Sequence, residues 1–258
     1  MERLVIKLGT KTLMSEQGRL NSGRFREIAY QVAELVKRQV EVVIVSSGAI
    51  QAGREAAERI GDDPELLKRF NKKDIAGIGS RHLMNLWGDA LNFYGLEVCE
   101  TLVTYANWSN ENERENLRKG IVDCFASRFI SVINENDRIS DEEIKSMEMG
   151  ISENDQLAGM VAALINADAV LFLTKVGGIY DSDPLNNPEA KIMEKIKGCQ
   201  KLDLSGLSKE GTGGMVVKKR EGLKCLENGV KKVAVAGVND KVILDFVEGR
   251  KVGTEICL

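Results

Sequence analysis

Val42-Val43-Ile44-Val45-Ser46-Ser47-Gly48-Ala49-Ile50 runs four consecutive apolar residues into a small polar turn. A strand that is apolar at every position, not at every second one, has both faces covered, which is the condition inside a parallel sheet flanked by helices. The neighbouring sequence follows the same pattern. Leu4-Val5-Ile6-Lys7-Leu8 reads as the preceding strand. Between the two, Phe25, Ile28, Ala29, Val32, Leu35 and Val36 recur at the spacing of one buried helical face, with Ser22 placed to cap the helix. Further strands are expected at 98–103, 129–133, 169–173 and 233–236, with helices between most of them. Residues 155–166 read as helix, with Ala158, Gly159, Ala162 and Ala163 small enough for close packing on a sheet. This alternation predicts an α/β fold built from βα units around a largely parallel sheet. The turn formers of 181–188 predict an exposed loop.

With 258 residues, 43% hydrophobic content and a net charge of −3, the composition describes a globular chain with no basic excess, so nucleic acid is not an expected partner. No apolar run reaches the roughly 20 residues that span a bilayer, and the first residues lack the apolar core of a secretory signal; a cytoplasmic location, away from membranes, is expected. The five cysteines are scattered without a CxxC pair, which argues against a disulfide framework or a zinc site. The single histidine, His82, lies in a helical stretch with no partner arrangement for nucleophilic catalysis, so a structural role is expected.

In open α/β sheets, ligands bind beyond the carboxyl ends of the strands. Four polar turns qualify: Gly9-Thr10-Lys11, Ser46-Ser47-Gly48-Ala49, Asn134-Glu135-Asn136-Asp137 and Thr174-Lys175-Val176-Gly177-Gly178. Near the other end of the chain, Gly211-Thr212-Gly213-Gly214-Met215-Val216-Val217-Lys218 again joins glycine backbone to a lysine. Backbone N–H groups without an intervening Cβ can wrap phosphate, and a lysine supplies a mobile positive charge, so the pair of segments points to nucleotide-dependent phosphoryl transfer. Neither segment is a Walker A loop.

The chain resembles the glutamate 5-kinases of the amino-acid kinase superfamily over nearly its whole length. The resemblance rests on Val5-Ile6-Lys7-Leu8-Gly9-Thr10, on Val45-Ser46-Ser47-Gly48-Ala49-Ile50-Gln51-Ala52-Gly53-Arg54-Glu55, on Val132-Ile133-Asn134-Glu135-Asn136-Asp137, and on Gly211-Thr212-Gly213-Gly214-Met215 with Lys218. It implies a three-layer αβα sandwich around a mostly parallel central sheet, with 1–258 as one kinase domain. It implies ATP and Mg²⁺ as cofactors, and L-glutamate 5-phosphate as the product. Catalytic roles fall on Lys7, Lys218 and Asp155. Ser47, Gly48, Ala49, Asn134, Asp137 and Asn154 would bind glutamate. Lys7, Gly9, Thr10, Thr174, Lys175, Thr212, Gly213, Gly214, Met215, Val216, Val217 and Lys218 would line the nucleotide site, and no protein metal ligand is assigned. A homo-oligomer, dimer or tetramer, and a glutamate-5-phosphate reductase as functional partner are also implied.

The chain departs from the family pattern at Lys175, where an aspartate is usual, at Glu153, and in a longer loop containing 145–151; weakened inhibition by proline is expected from that loop. No segment like the family's C-terminal PUA domain precedes Leu258, so a kinase domain alone is expected. Two other readings stay open at this level: a paralogue phosphorylating another acidic acceptor, and an inactive nucleotide-binding regulator.

Overall fold

The computed structural model describes residues 1–60, 69–140, 153–182, 187–200 and 209–258. The first strand, β1 (Arg3–Leu8), is followed by a short helix α1 (Thr10–Leu13) and by α2 (Ser22–Lys37). Then come β2 (Glu41–Ser46), α3 (Ala49–Ile60), α4 (Lys72–Asn92) and β3 (Glu97–Val103). Helices α5 (Tyr105–Ser109) and α6 (Glu111–Phe125) lead to β4 (Phe129–Glu135), α7 (Glu153–Leu164) and β5 (Ala169–Thr174). The remainder is β6 (Lys195–Lys197), α8 (Lys209–Glu227), β7 (Lys232–Gly237), α9 (Val242–Val247) and β8 (Thr254–Cys257).

Among the described residues the strands form one eight-stranded sheet in the order β3-β4-β2-β1-β5-β7-β8-β6. Every adjacent pair is parallel except β7 with β8. Alternation along each strand sorts side chains onto two faces. Leu4, Ile6 and Leu8 of β1 join Ile44 and Leu171 in a core closed by α2, α4 and α9. Val5, Val45 and Phe172 face a second core closed by α6, α7 and α8. The result is a three-layer αβα sandwich. Both faces of the central strands are dry, which accounts for their unbroken apolar sequence.

Two local features differ from expectation. Asn21, not Ser22, caps α2: its side chain accepts from the Gly23 N–H at 2.9 Å. Either residue has a cap-forming side chain, and the helix begins at Ser22 itself, one residue earlier than a cap there would place it. The strands β6 and β8 have no counterpart in the expected set. Pro184 and the segment 183–186 within the expected exposed loop lie outside the described residues.

Helices α3 and α4 cross where glycine removes the side chain. A Cβ on Gly79 would lie 1.7 Å from the Ala49 carbonyl oxygen, and one on Gly53 would lie 1.9 Å from that of Ile75. Trp87 of α4 is fully buried, packs edge-on to Phe25 at 4.7 Å, and donates from Nε1 to Ser46 Oγ at 3.0 Å. This contact fixes α4 against the carboxyl end of β2. Gly79→Ala is therefore expected to force the helices apart and lower stability by about 1–3 kcal/mol, read as a lower urea midpoint. Gly88→Ala, on the same helix where an added Cβ meets nothing within 4 Å, should instead raise stability by about 0.5–1 kcal/mol. Equal responses at the two positions would contradict the crossing geometry.

Candidate active site

Strands β4, β2, β1 and β5 are parallel neighbours, so their carboxyl ends open along one edge of the sheet. The turns that follow them are held to that edge by the backbone: the Ser47 N–H donates to Leu8 O at 3.0 Å, and the Asn136 N–H to Val103 O at 2.7 Å. Lys7 pairs in register with Val45 and Phe172, so its side chain lies on the face covered by α7 and α8. Those are the helices that carry Asp155 and Lys218.

The three side chains meet there. Lys7 Nζ lies 2.8 Å from Asp155 Oδ1, and Lys218 Nζ lies 2.9 Å from Asp155 Oδ2. The Asp155 side chain is completely buried, that of Lys7 is 2% exposed and that of Lys218 is 12% exposed. Burial pushes the Asp155 carboxyl upward, but the charges and hydrogen bonds of the two lysines outweigh it and hold the group below its ordinary value of 3.8. One anion thus anchors two cations contributed from the ends of the chain. The cluster carries a net charge of about +1 in a dry setting, which draws in an anion.

The depressed value has a consequence for stability against pH. A carboxylate whose folded value lies below its unfolded value stabilises the fold above the unfolded value, and that contribution is lost as pH falls through the folded one. The stability difference between the wild type and Asp155→Asn should therefore be full above about pH 4–5 and shrink only in more acidic solution. A difference that instead shrinks between about pH 5 and 8 would show that Asp155 is not ionised in the way described.

Beside the triad, Asn154 Nδ2 donates to Ser47 Oγ at 2.8 Å, joining α7 to the turn after β2. Asn134 and Asn154 are each 2% exposed, and Asp137 is also buried. Among the described residues, Asn134 Oδ1 and Asn154 Oδ1 are buried without a hydrogen-bond partner. Buried acceptors of this kind are costly unless water or a ligand supplies a donor. Gly48 has φ +123°, a conformation that a side chain strains, and it leads directly into the first turn of α3. Ala49 is buried beneath it.

Toward β5, Thr174 is buried and its hydroxyl donates to Val176 O, whereas Lys175 is exposed. Gly9 approaches the triad: a Cβ built there would lie 3.7 Å from Lys7 Nζ. Thr10 begins α1, so part of the expected first turn is helical. The segment 211–217 is also helical in backbone. It forms the early part of α8, which starts at Lys209. Of its expected contacts, Met215 and Val216 are half-buried, Val217 is buried, and for Thr212, Gly213 and Gly214 only the helical backbone is described. The loop containing 145–151 lies outside the described residues.

On α4, Trp87 and Leu91 are core, Met84 and Leu86 pack partly buried against it, and Phe93, just past the helix end, is exposed. His82 is half-buried on α4 and belongs to none of the contacts above. Among the described residues no helix is long and apolar enough to cross a membrane, and no cluster of three histidine, cysteine or acidic side chains could hold a metal.

A family profile described as "Amino acid kinase family" matches residues 2–237. Among curated proteins, a glutamate 5-kinase of Dehalococcoides mccartyi (strain CBDB1) is 35% identical, over 98% of this chain and 68% of its own length. Another, of Yersinia pestis (strain Pestoides F), is likewise 35% identical with the same two coverages. Among solved structures, an isopentenyl phosphate kinase superposes with a TM-score of 0.66 at 20% identity, covering 99% of this chain and 100% of its own. A UMP kinase from Bacillus anthracis gives 0.61 at 20% identity, with coverages of 99% and 95%.

Proposed function

The chain belongs to the amino acid kinase family, in its glutamate 5-kinase branch, and from that membership we propose how its residues transfer the γ-phosphoryl group of ATP to the side-chain carboxylate of L-glutamate. The products are ADP and L-glutamate 5-phosphate, an acyl phosphate. The observation that carries the reading is the Lys7–Asp155–Lys218 cluster at the carboxyl edge of the sheet.

The acceptor needs no general base. A glutamate side chain titrates near 4.3 and is already a nucleophile at neutral pH. What opposes the reaction is the approach of one anion to another, and the spread of negative charge over the phosphoryl oxygens in the transition state. Lys7 and Lys218 supply positive charge at that point, while Asp155 keeps both ammonium groups oriented, so little reorganisation is needed when charge develops. On the acceptor side, Asp137 is the carboxylate suited to the substrate ammonium. Ser47, Asn134 and Asn154 supply hydroxyl and amide groups that orient the substrate without adding a competing charge. The Gly48 turn brings backbone to the same place. Thr174 and the segment 212–217 line the nucleotide.

Asp155 is engaged by both lysines. Mg²⁺ would enter with ATP, whose phosphate oxygens supply ligands of the kind it prefers, and would neutralise part of their charge. A labile acyl phosphate also calls for a consuming enzyme that reduces it soon after release.

A panel of acceptors tests the reading. Glutamate, aspartate, acetylglutamate and UMP are offered with MgATP and hydroxylamine, which traps an acyl phosphate as a hydroxamate. Glutamate should give hydroxamate with stoichiometric ADP, and the others much less. Faster turnover of any other acceptor, or ADP without hydroxamate, would refute it.

A further inference from the structure

We infer that Arg138 is a positioning residue for the acceptor, acting through Asp74 at the start of α4; the inference rests on the kinase reading above and identifies what holds the two halves of its acceptor pocket in place. Arg138 follows Asp137 directly, and its Nη1 pairs with Asp74 Oδ1. Asp74 also secures the end of its own helix: its N–H donates to Asn71 Oδ1 at 2.9 Å, and the Asn71 N–H donates to Asp74 Oδ2 at 3.3 Å. One carboxylate oxygen therefore closes the capping box and the other holds the arginine.

The path of the arginine is built into the helix. Its stem crosses α4 at Gly77, where an added Cβ would lie 3.0 Å from Arg138 Cδ and 3.5 Å from Nε. The turn that carries Arg138 is compact, with the Ile139 and Ser140 N–H groups donating to Asn136 O at 3.1 and 2.9 Å and the Ser140 hydroxyl donating to Glu135. A pull on Arg138 therefore moves Asn134 to Asp137 as a unit. The other half of the pocket, Ser47-Gly48-Ala49, is seated on the same helix, because Gly79 lets α4 reach the Ala49 carbonyl. Helix α4 thus sets the separation of the two acceptor-binding turns, and the Arg138–Asp74 pair fastens the second turn to it. Among the described residues, no hydrogen bond or ion pair links this pair to Thr174 or α8.

The pair is partly exposed, 57% for Arg138 and 30% for Asp74, so its influence is that of a surface ion pair, about twofold to fivefold. The experiment measures KM for the acceptor, KM for ATP, kcat and melting temperature in Arg138→Gln, Asp74→Asn, the double variant and Arg138→Lys. Asn at 74 can still accept from the Asn71 N–H, so the helix cap survives. Each single variant should raise the acceptor KM about twofold to fivefold, the double variant no further than either, and Arg138→Lys should restore most of it, with ATP KM and kcat unchanged. An unchanged acceptor KM, additive single effects, an equal rise in ATP KM, or a KM change that merely tracks a lowered melting temperature would overturn the inference. The wild-type panel separates the two levels: absence of hydroxamate from glutamate refutes the substrate reading, and the cycle is then run on the acceptor that the panel returns. Should Arg138→Gln fail to fold, Asp74→Asn gives the same readout.

Discussion

Asp155→Ala is expected to lower folding stability by about 3–5 kcal/mol and to abolish phosphoryl transfer. The two effects have one origin. Lys7 and Lys218 are nearly buried around this carboxylate, so its removal leaves two ammonium groups close together in a dry site with no counter-charge. Desolvation that was offset by the pair becomes an uncompensated penalty, and mutual repulsion adds to it. The lysines can respond by turning away or by losing a proton, and either response removes the charge from the transferring group. Urea denaturation and hydroxamate formation on the same preparation check this. A variant that folds with wild-type stability and keeps more than a tenth of the activity would show that Asp155 is not the organiser of the site.

Lys218→Met should separate the two effects. Its side chain is 12% exposed, and its loss leaves Asp155 still paired with Lys7, so the stability cost should be well below that of Asp155→Ala. On the proposed role of Lys218, losing its charge should lower kcat by about 10²–10³, the size typical of removing one stabilising group from a transition state. KM values should change much less, because charge stabilisation is greatest in the transition state. Rapid-quench or steady-state assays at saturating ATP and acceptor measure this. A pure rise in ATP KM with kcat intact would assign Lys218 to nucleotide binding alone.

Much of the scaffold is legible in the amino-acid sequence, and the reason is physical. Strands such as Val42-Val43-Ile44-Val45 and Ala169-Val170-Leu171-Phe172-Leu173 are dry on both faces, so their sequence carries the signal without ambiguity. Lys195-Ile196-Lys197 in β6 exposes two of its three residues, and β8 is four residues long at the far side of the sheet, so neither run has enough apolar length to declare itself. The glycines at 211, 213 and 214 weaken a helix, yet α8 runs through them, so local propensity does not announce that element. In the site, the spacing along the chain cannot show that Lys7 and Lys218 share one carboxylate, since that follows from strand order and not from local pattern. Those residues are marked by the family resemblance instead. Arg138 has no such mark: a single arginine beside a turn carries no periodic or motif signal, and its partner lies 64 residues away.

In β1, Lys7 reaches the triad only because it has the same parity as Val5, while Ile6 and Leu8 enter the opposite core. Deleting or inserting one residue upstream of Lys7 in that strand, with its pairing preserved at Arg3, would exchange the two layers. The ammonium would then be pressed among leucines and isoleucines, and a leucine after a deletion, or an isoleucine after an insertion, would face the carboxylate. The charge proposed to act on the phosphoryl group is thus addressed by counting in twos along a strand, and a frame error too small to disturb the outline of the sheet would take apart the Lys7–Asp155–Lys218 cluster.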